Sequence, residues 1–75
     1  MNTSELQHRL NVTRVPKHLF QITGGLPNEA FCLNEEDGVW EVYYSERGVK
    51  SQLRRFHSEA EACEYLYRTI LETLS

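Results

Sequence analysis

No apolar run in this 75-residue chain approaches the roughly 20 residues that a membrane-spanning helix needs, so no bilayer-crossing segment is expected. The first ten residues, MNTSELQHRL, lack the basic start and continuous apolar centre of a secretory signal, and the expected location is the cytoplasm. Cysteine is scarce. Cys32 and Cys63 could form one disulfide at most, whereas small secreted scaffolds usually carry more. Neither cysteine shares CxxC spacing with the other or with His8, His18 and His57, so no zinc framework can be written. Both are expected as free thiols, buried or partly so. Gly24-Gly25 lacks the lysine and the serine or threonine of a phosphate loop and reads as a plain turn. No metal and no cofactor is expected.

What remains is a chain of ordinary globular composition, 40% hydrophobic and 25% charged, too apolar for a disordered segment. It is expected to form one small domain over residues 1–75. A core of this size typically leaves only about 3 to 5 kcal/mol of net stability, with little room for a deep catalytic cleft as well.

Basic residues are also missing where they would matter most. From Asn28 to Glu46 the chain holds Glu29, Glu35, Glu36, Asp37, Glu41 and Glu46 and no lysine or arginine. Arg47, Lys50, Arg54 and Arg55 follow at once, and the formal net charge is -3. Charge is therefore laid out in blocks of alternating sign.

Periodicity supplies the elements. Leu6 and Leu10 lie one helical repeat apart behind Ser4 and Gln7, which fit a capping box, so a short helix is expected over residues 4–11. Val15-Pro16 cannot continue it. Leu19, Phe20 and Ile22 are expected to reach the core before Gly24-Gly25 and Pro27 break regularity. From Ala30 the period becomes two. A tight turn at Asp37-Gly38 places Glu36 opposite Val39, and the register that follows gathers Phe31, Leu33, Trp40, Val42 and Tyr44 on one face. Strands are expected over 30–35, 39–45 and 50–56. With Arg47-Gly48 as the second turn, Leu53 meets Val42 and Arg54 faces Glu41; a bulge or a strand end is required if Phe56 is buried too. Ser58 and Glu61 form a capping box for a helix over 59–74, whose stripe is Cys63, Leu66, Tyr67, Ile70, Leu71 and Leu74. The expected fold class is α+β with the order αβββα: a three-stranded antiparallel meander, the C-terminal helix packed on one face, and a short N-terminal helix.

No catalytic constellation emerges, and the chain is not expected to be an enzyme. Consecutive carboxylates at a hairpin tip splay into water, and nothing is placed by sequence to make His57 a base. Binding fits better. Tyr43, beside Glu41 and near Cys32 and Val39, either anchors a partner or packs beneath the N-terminal segment.

The run GVWEVYYSERGVKSQLRRFHSEAEACEYL, residues 38–66, resembles the arm-type DNA-binding domains of phage-integrase-like tyrosine recombinases. Such domains need a basic exposed strand face; Arg54 and Arg55 match, while Glu41 and the tip carboxylates oppose. The element order also resembles double-stranded-RNA-binding domains, but the acidic start SEAEACE of the last helix would repel phosphate. Nucleic acid is therefore disfavoured as a partner. The combination GGLPNEAFCLN, WEVYYSERG and FHSEAEACEYL, residues 24–66, is similar to small bacterial immunity-type proteins associated with polymorphic or contact-dependent toxins. That resemblance implies a cytoplasmic, non-enzymatic protein that binds and neutralises a cognate toxin domain. The contact set it implies here is Glu35, Glu36, Asp37, Glu41, Tyr43, Glu46 and Arg47, an acidic surface suited to a basic nuclease. A small regulatory adaptor is the other reading.

Overall fold

Asp37 and Gly38 take left-handed backbone angles, with φ of +51° and +81°, and so do Arg47 and Gly48 at +53° and +76°. Two consecutive left-handed residues make the tight hairpin turn whose twist matches that of its strands. A computed structural model describes residues 1–74 and shows both hairpins where the sequence places them. The chain runs α1 (Thr3–Val12), a 3-10 turn (Lys17–Leu19), β1 (Phe20–Gln21), β2 (Ala30–Glu36), β3 (Val39–Glu46), β4 (Val49–Phe56) and α2 (Glu59–Leu74). The sheet order is β1-β2-β3-β4.

The fold is α+β, but its sheet has four strands and is mixed. In place of the expected three-stranded antiparallel meander, the two-residue β1 pairs parallel to β2, with Phe20 beside Phe31 and Gln21 beside Cys32. So short a strand has no period of its own to read. Phe20 is buried, and Leu19 and Ile22 pack half-buried against the same core.

In the first hairpin, Glu36 pairs with Val39, Leu33 with Val42 and Phe31 with Tyr44. Leu33 and Val42 are buried, and the rings of Phe31 and Tyr44 meet edge to face at 5.0 Å. Over this face lies α2. Its cap is formed by Ser58, whose Oγ accepts a hydrogen bond from the Glu61 amide at 3.3 Å, and its Ala62, Cys63, Leu66 and Ile70 are buried. Leu74, expected in the stripe, is 48% exposed at the frayed end.

The N-terminal helix starts two residues earlier than its cap motif suggested. Asn2, not Ser4, is the cap, its Oδ1 accepting from the Glu5 amide at 2.8 Å. The Glu59 carboxylate accepts from the Thr3 amide at 3.0 Å, so an α2 side chain satisfies an open donor of α1 and ties the two helix starts together. Leu6 and Leu10 are fully buried. Arg14, at φ +60°, turns the chain away from the helix, and the Val15 amide returns to the Leu10 carbonyl at 3.0 Å.

The second hairpin differs from expectation in one residue. Tyr44 pairs with Ser51 and Val42 with Arg54, so Gln52 and Leu53 together oppose Tyr43 in a bulge. Gln52 absorbs the extra length at φ +55°. Glu41 therefore pairs with Arg55 rather than Arg54, and Phe56 pairs with Trp40 on the core side. Leu53, expected against Val42, is turned out and 37% exposed. The contrast is measurable by urea unfolding. Leu33→Ala is expected to cost about 2 to 5 kcal/mol, the usual range for a fully buried leucine, and Leu53→Ala less than about 1 kcal/mol. Equal costs would restore the register that buries Leu53.

Candidate docking face

Both helices pack on one side of the sheet, leaving the other side without helical cover. That outer face carries Ala30, Cys32, Asn34 and Glu36 from β2, and Val39, Glu41, Tyr43 and Ser45 from β3. The Arg47-Gly48 turn adds Lys50 beside them, and the bulge in β4 adds Arg55. Residues 24–29, in the connection between β1 and β2, fold back across half of this face.

Beneath that segment Ala30, Cys32, Tyr43 and Ser45 are all buried. The Tyr43 hydroxyl donates to the Gly25 carbonyl at 2.6 Å, and the Lys50 ammonium sits 4.6 Å from the centre of its ring. Gln21 Nε2 donates to the Gly24 carbonyl at 2.7 Å, and the Arg47 amide donates to Asn28 Oδ1 at 3.2 Å. Gly24 is needed here. A Cβ on it would stand 2.6 Å from Asn34 Oδ1, and its φ is +81°. Tyr43 is only 1% exposed; of the two placements expected of it, this conformation has the packed one, beneath the chain's own loop.

The other half of the face is open. Glu36, Asp37, Val39, Glu41 and Arg55 line a shallow depression of about 350 Å³ next to the hairpin tip. Glu41 lines it and bridges two bases, Lys50 at 3.4 Å and Arg55 at 3.2 Å. Its side chain is only 14% exposed. The carboxylate expected opposite Arg54 is thus compensated by two other bases of the next strand. Glu35, Glu36 and Asp37 are exposed at the tip, and Glu35 turns back to accept from the Gly38 amide at 2.7 Å. Among the described residues no ion pair involves these three.

The seven expected contact residues do not form one patch. Glu46 and Arg47 sit at the far end of β3, seven residues from Val39, or roughly 23 Å at the usual rise of a strand. Glu46 also has the parity of Tyr44, so it belongs to the helix side. Structure therefore groups Glu36, Asp37 and Glu41 on the open face with Glu35 beside them, and separates Tyr43, Glu46 and Arg47. Sequence reasoning put Val39 on this face but not among the contact residues, and it missed Lys50 and Arg55. The place of Lys50 opposite Ser45 follows from the Arg47-Gly48 turn and was readable; that of Arg55 depended on the bulge.

Basic charge on β4 is split between faces. Arg54 pairs with Val42 and lies over the Tyr65 ring of α2 at 5.4 Å, while Lys50 and Arg55 are engaged by Glu41. No uniformly basic strand face results, as groove binding would require. Reactive-thiol chemistry is also opposed. Burial pushes the Cys63 thiol up to about 11 and raises that of Cys32, with Tyr43 and Lys50 offsetting part of the latter. Both therefore stay protonated at neutral pH, the opposite of an activated nucleophile. No helix among the described residues is long and apolar enough to cross a membrane.

Compared with known proteins, the chain matches no family model, no curated protein and no solved structure.

Burial of Tyr43 gives a titration test. Desolvation, with the Cys32 and Glu41 charges adding to it, pushes its phenol from 10 up to about 12. A folded-state value above the unfolded one favours the neutral phenol. Its contribution to stability is complete below pH 10 and is lost as pH rises through about 12. Phenolate absorbance is expected to show a tyrosine ionising near that upper value in the wild type and missing in Tyr43→Phe. The same upper step in both proteins would place the perturbed phenol elsewhere.

Proposed function

We propose that this chain is a non-enzymatic protein-binding module that docks through the open half of its outer sheet face and the acidic hairpin tip. One observation carries the reading: among the described residues Glu36 and Asp37 stand exposed and without an ion pair at a depression whose one base, Arg55, is already held by Glu41. A surface with uncompensated negative charge at its rim attracts a basic protein surface and repels nucleic acid. An interface of ordinary size, roughly 800 Å² per partner, would extend beyond the depression onto Leu53.

In its specific form the module is an immunity-type protein, and the partner a cognate toxin domain with a basic substrate surface, such as a nuclease. The motif resemblance over residues 24–66 is what supports that form. A regulatory adaptor would use the same face, and the two are separated by genome position and phenotype: an immunity protein is encoded beside the toxin it blocks.

Co-expression with the product of the adjacent reading frame is the test, read by pull-down and by rescue of growth. Capture with rescue supports the immunity form, capture without toxicity supports the adaptor, and neither removes the specific partner. Within a captured complex, the double variant Glu36→Lys, Asp37→Lys is expected to weaken binding at least about tenfold, some 1.4 kcal/mol, without shifting the protein's own melting temperature. Unchanged affinity would remove the acidic tip from the interface. Glu41→Lys is a poorer probe, because it breaks two ion pairs inside the face and is expected to lower stability by itself.

A further inference from the structure

Residues 24–29 hold the outer face differently from the way α2 holds the inner one. Among the described residues, none of the backbone-to-backbone hydrogen bonds outside helices and strands comes from this segment. Its fastenings are three bonds involving a side chain: Tyr43 to the Gly25 carbonyl, Gln21 to the Gly24 carbonyl, and Asn28 from the Arg47 amide. Leu26, its largest apolar side chain, is 53% exposed and so contributes little apolar fastening.

Both ends carry left-handed backbone. Gly24 and Gly25 have φ of +81° and +93°, and Glu29, where β2 is about to begin, has φ of +55° without being glycine. A non-glycine residue so held is strained, and release of the segment relieves it. Under the cover, the fit is incomplete: Ser45 Oγ is fully buried and has no hydrogen-bond partner. A buried hydroxyl without a partner is a cost of the closed state that opening to water removes.

We propose that residues 24–29 form a releasable cover, which opens as a unit while the helices and the sheet stay folded and thereby adds Tyr43, Cys32 and Ser45 to the docking face. The partner that takes the cover's place supplies a hydrogen-bond acceptor to the Tyr43 hydroxyl, where the Gly25 carbonyl now stands, and a group for Ser45 Oγ. Only this last step rests on the protein-binding reading; opening is a property of the free chain.

The two thiols report on opening without any engineering. Cys32 lies under the cover, whereas Cys63 lies in the opposite layer among Leu6, Leu33 and Leu66. The wild-type protein is labelled with N-ethylmaleimide at mildly alkaline pH, over a series of low urea concentrations, and the sites are located by peptide mapping. Cys32 is expected to react at least about tenfold faster than Cys63, at a rate that hardly changes with urea, because local opening exposes little surface. Cys63 is expected to react with the steep urea dependence of global unfolding. In Tyr43→Phe, loss of the tether is expected to raise the Cys32 rate about three- to tenfold and leave that of Cys63 nearly unchanged.

Equal rates with equal urea dependence would overturn the proposal, since both thiols would then be waiting for the whole domain to unfold. Faster reaction at Cys63 would overturn it as well. If Tyr43→Phe accelerates both thiols alike, the hydroxyl is a general stabiliser and not the latch. A labelling result in favour, followed by failure of the adjacent gene product to bind, would leave the cover standing and remove the partner.

Discussion

Everything in this fold depends on the pairing of β2 with β3. Asp37-Gly38 is a turn with a single compatible register, and from it follow Glu36 with Val39, Leu33 with Val42 and Phe31 with Tyr44. A slip by one residue would turn Leu33 and Val42 to the outer side and bring Cys32 and Tyr43 under α2. Because the period of a strand is two, the same turn that builds the core also decides which side chains are left for the outer face. Inside and outside are one decision.

The outer face is then shaped by two local departures from regularity. The bulge at Gln52 and Leu53 moves Arg55 opposite Glu41, so Glu41 can bridge Lys50 and Arg55. It also lets Phe56 reach the core beside Trp40. The glycine pair lets residues 24–29 lie close against Asn34 and Tyr43, dividing the face into a covered and an open half. Charge at the tip stays uncompensated because Arg55, the base that shares its depression, is held by Glu41. In this account the tip and the covered half have different origins, one electrostatic and one steric, and both converge on a surface suited to a protein rather than to a phosphate backbone.

The sequence disclosed whatever its own periodicity encodes. Both hairpin turns, the first register in full and α2 with its Ser58 cap were readable, since each rests on residues a few positions apart. The failures are non-local. The parallel pairing of Phe20-Gln21 with Phe31-Cys32 joins segments with no shared pattern, and the bulge needs Gln52 in a backbone region that side chains rarely adopt. Asn2 displaced Ser4 as the cap of α1, which lengthens the helix start by two residues and leaves a Thr3 amide that Glu59 of α2 satisfies. At the site, the exposed tip was legible as charge. Burial of Tyr43 was left open, because a loop crossing a sheet face leaves no mark in the alternation beneath it; and the base opposite Glu41 was expected to be Arg54, where the bulge puts Arg55.

Amide hydrogen exchange, recorded for the free chain and again with the product of the adjacent reading frame, tests the docking face most directly. The account predicts new protection concentrated at the hairpin tip and the neighbouring stretches of β3 and β4, residues 36–41 and 53–55, with α2 unchanged. Protection confined to the exposed side of α2, with the tip exchanging as fast as before, would contradict it.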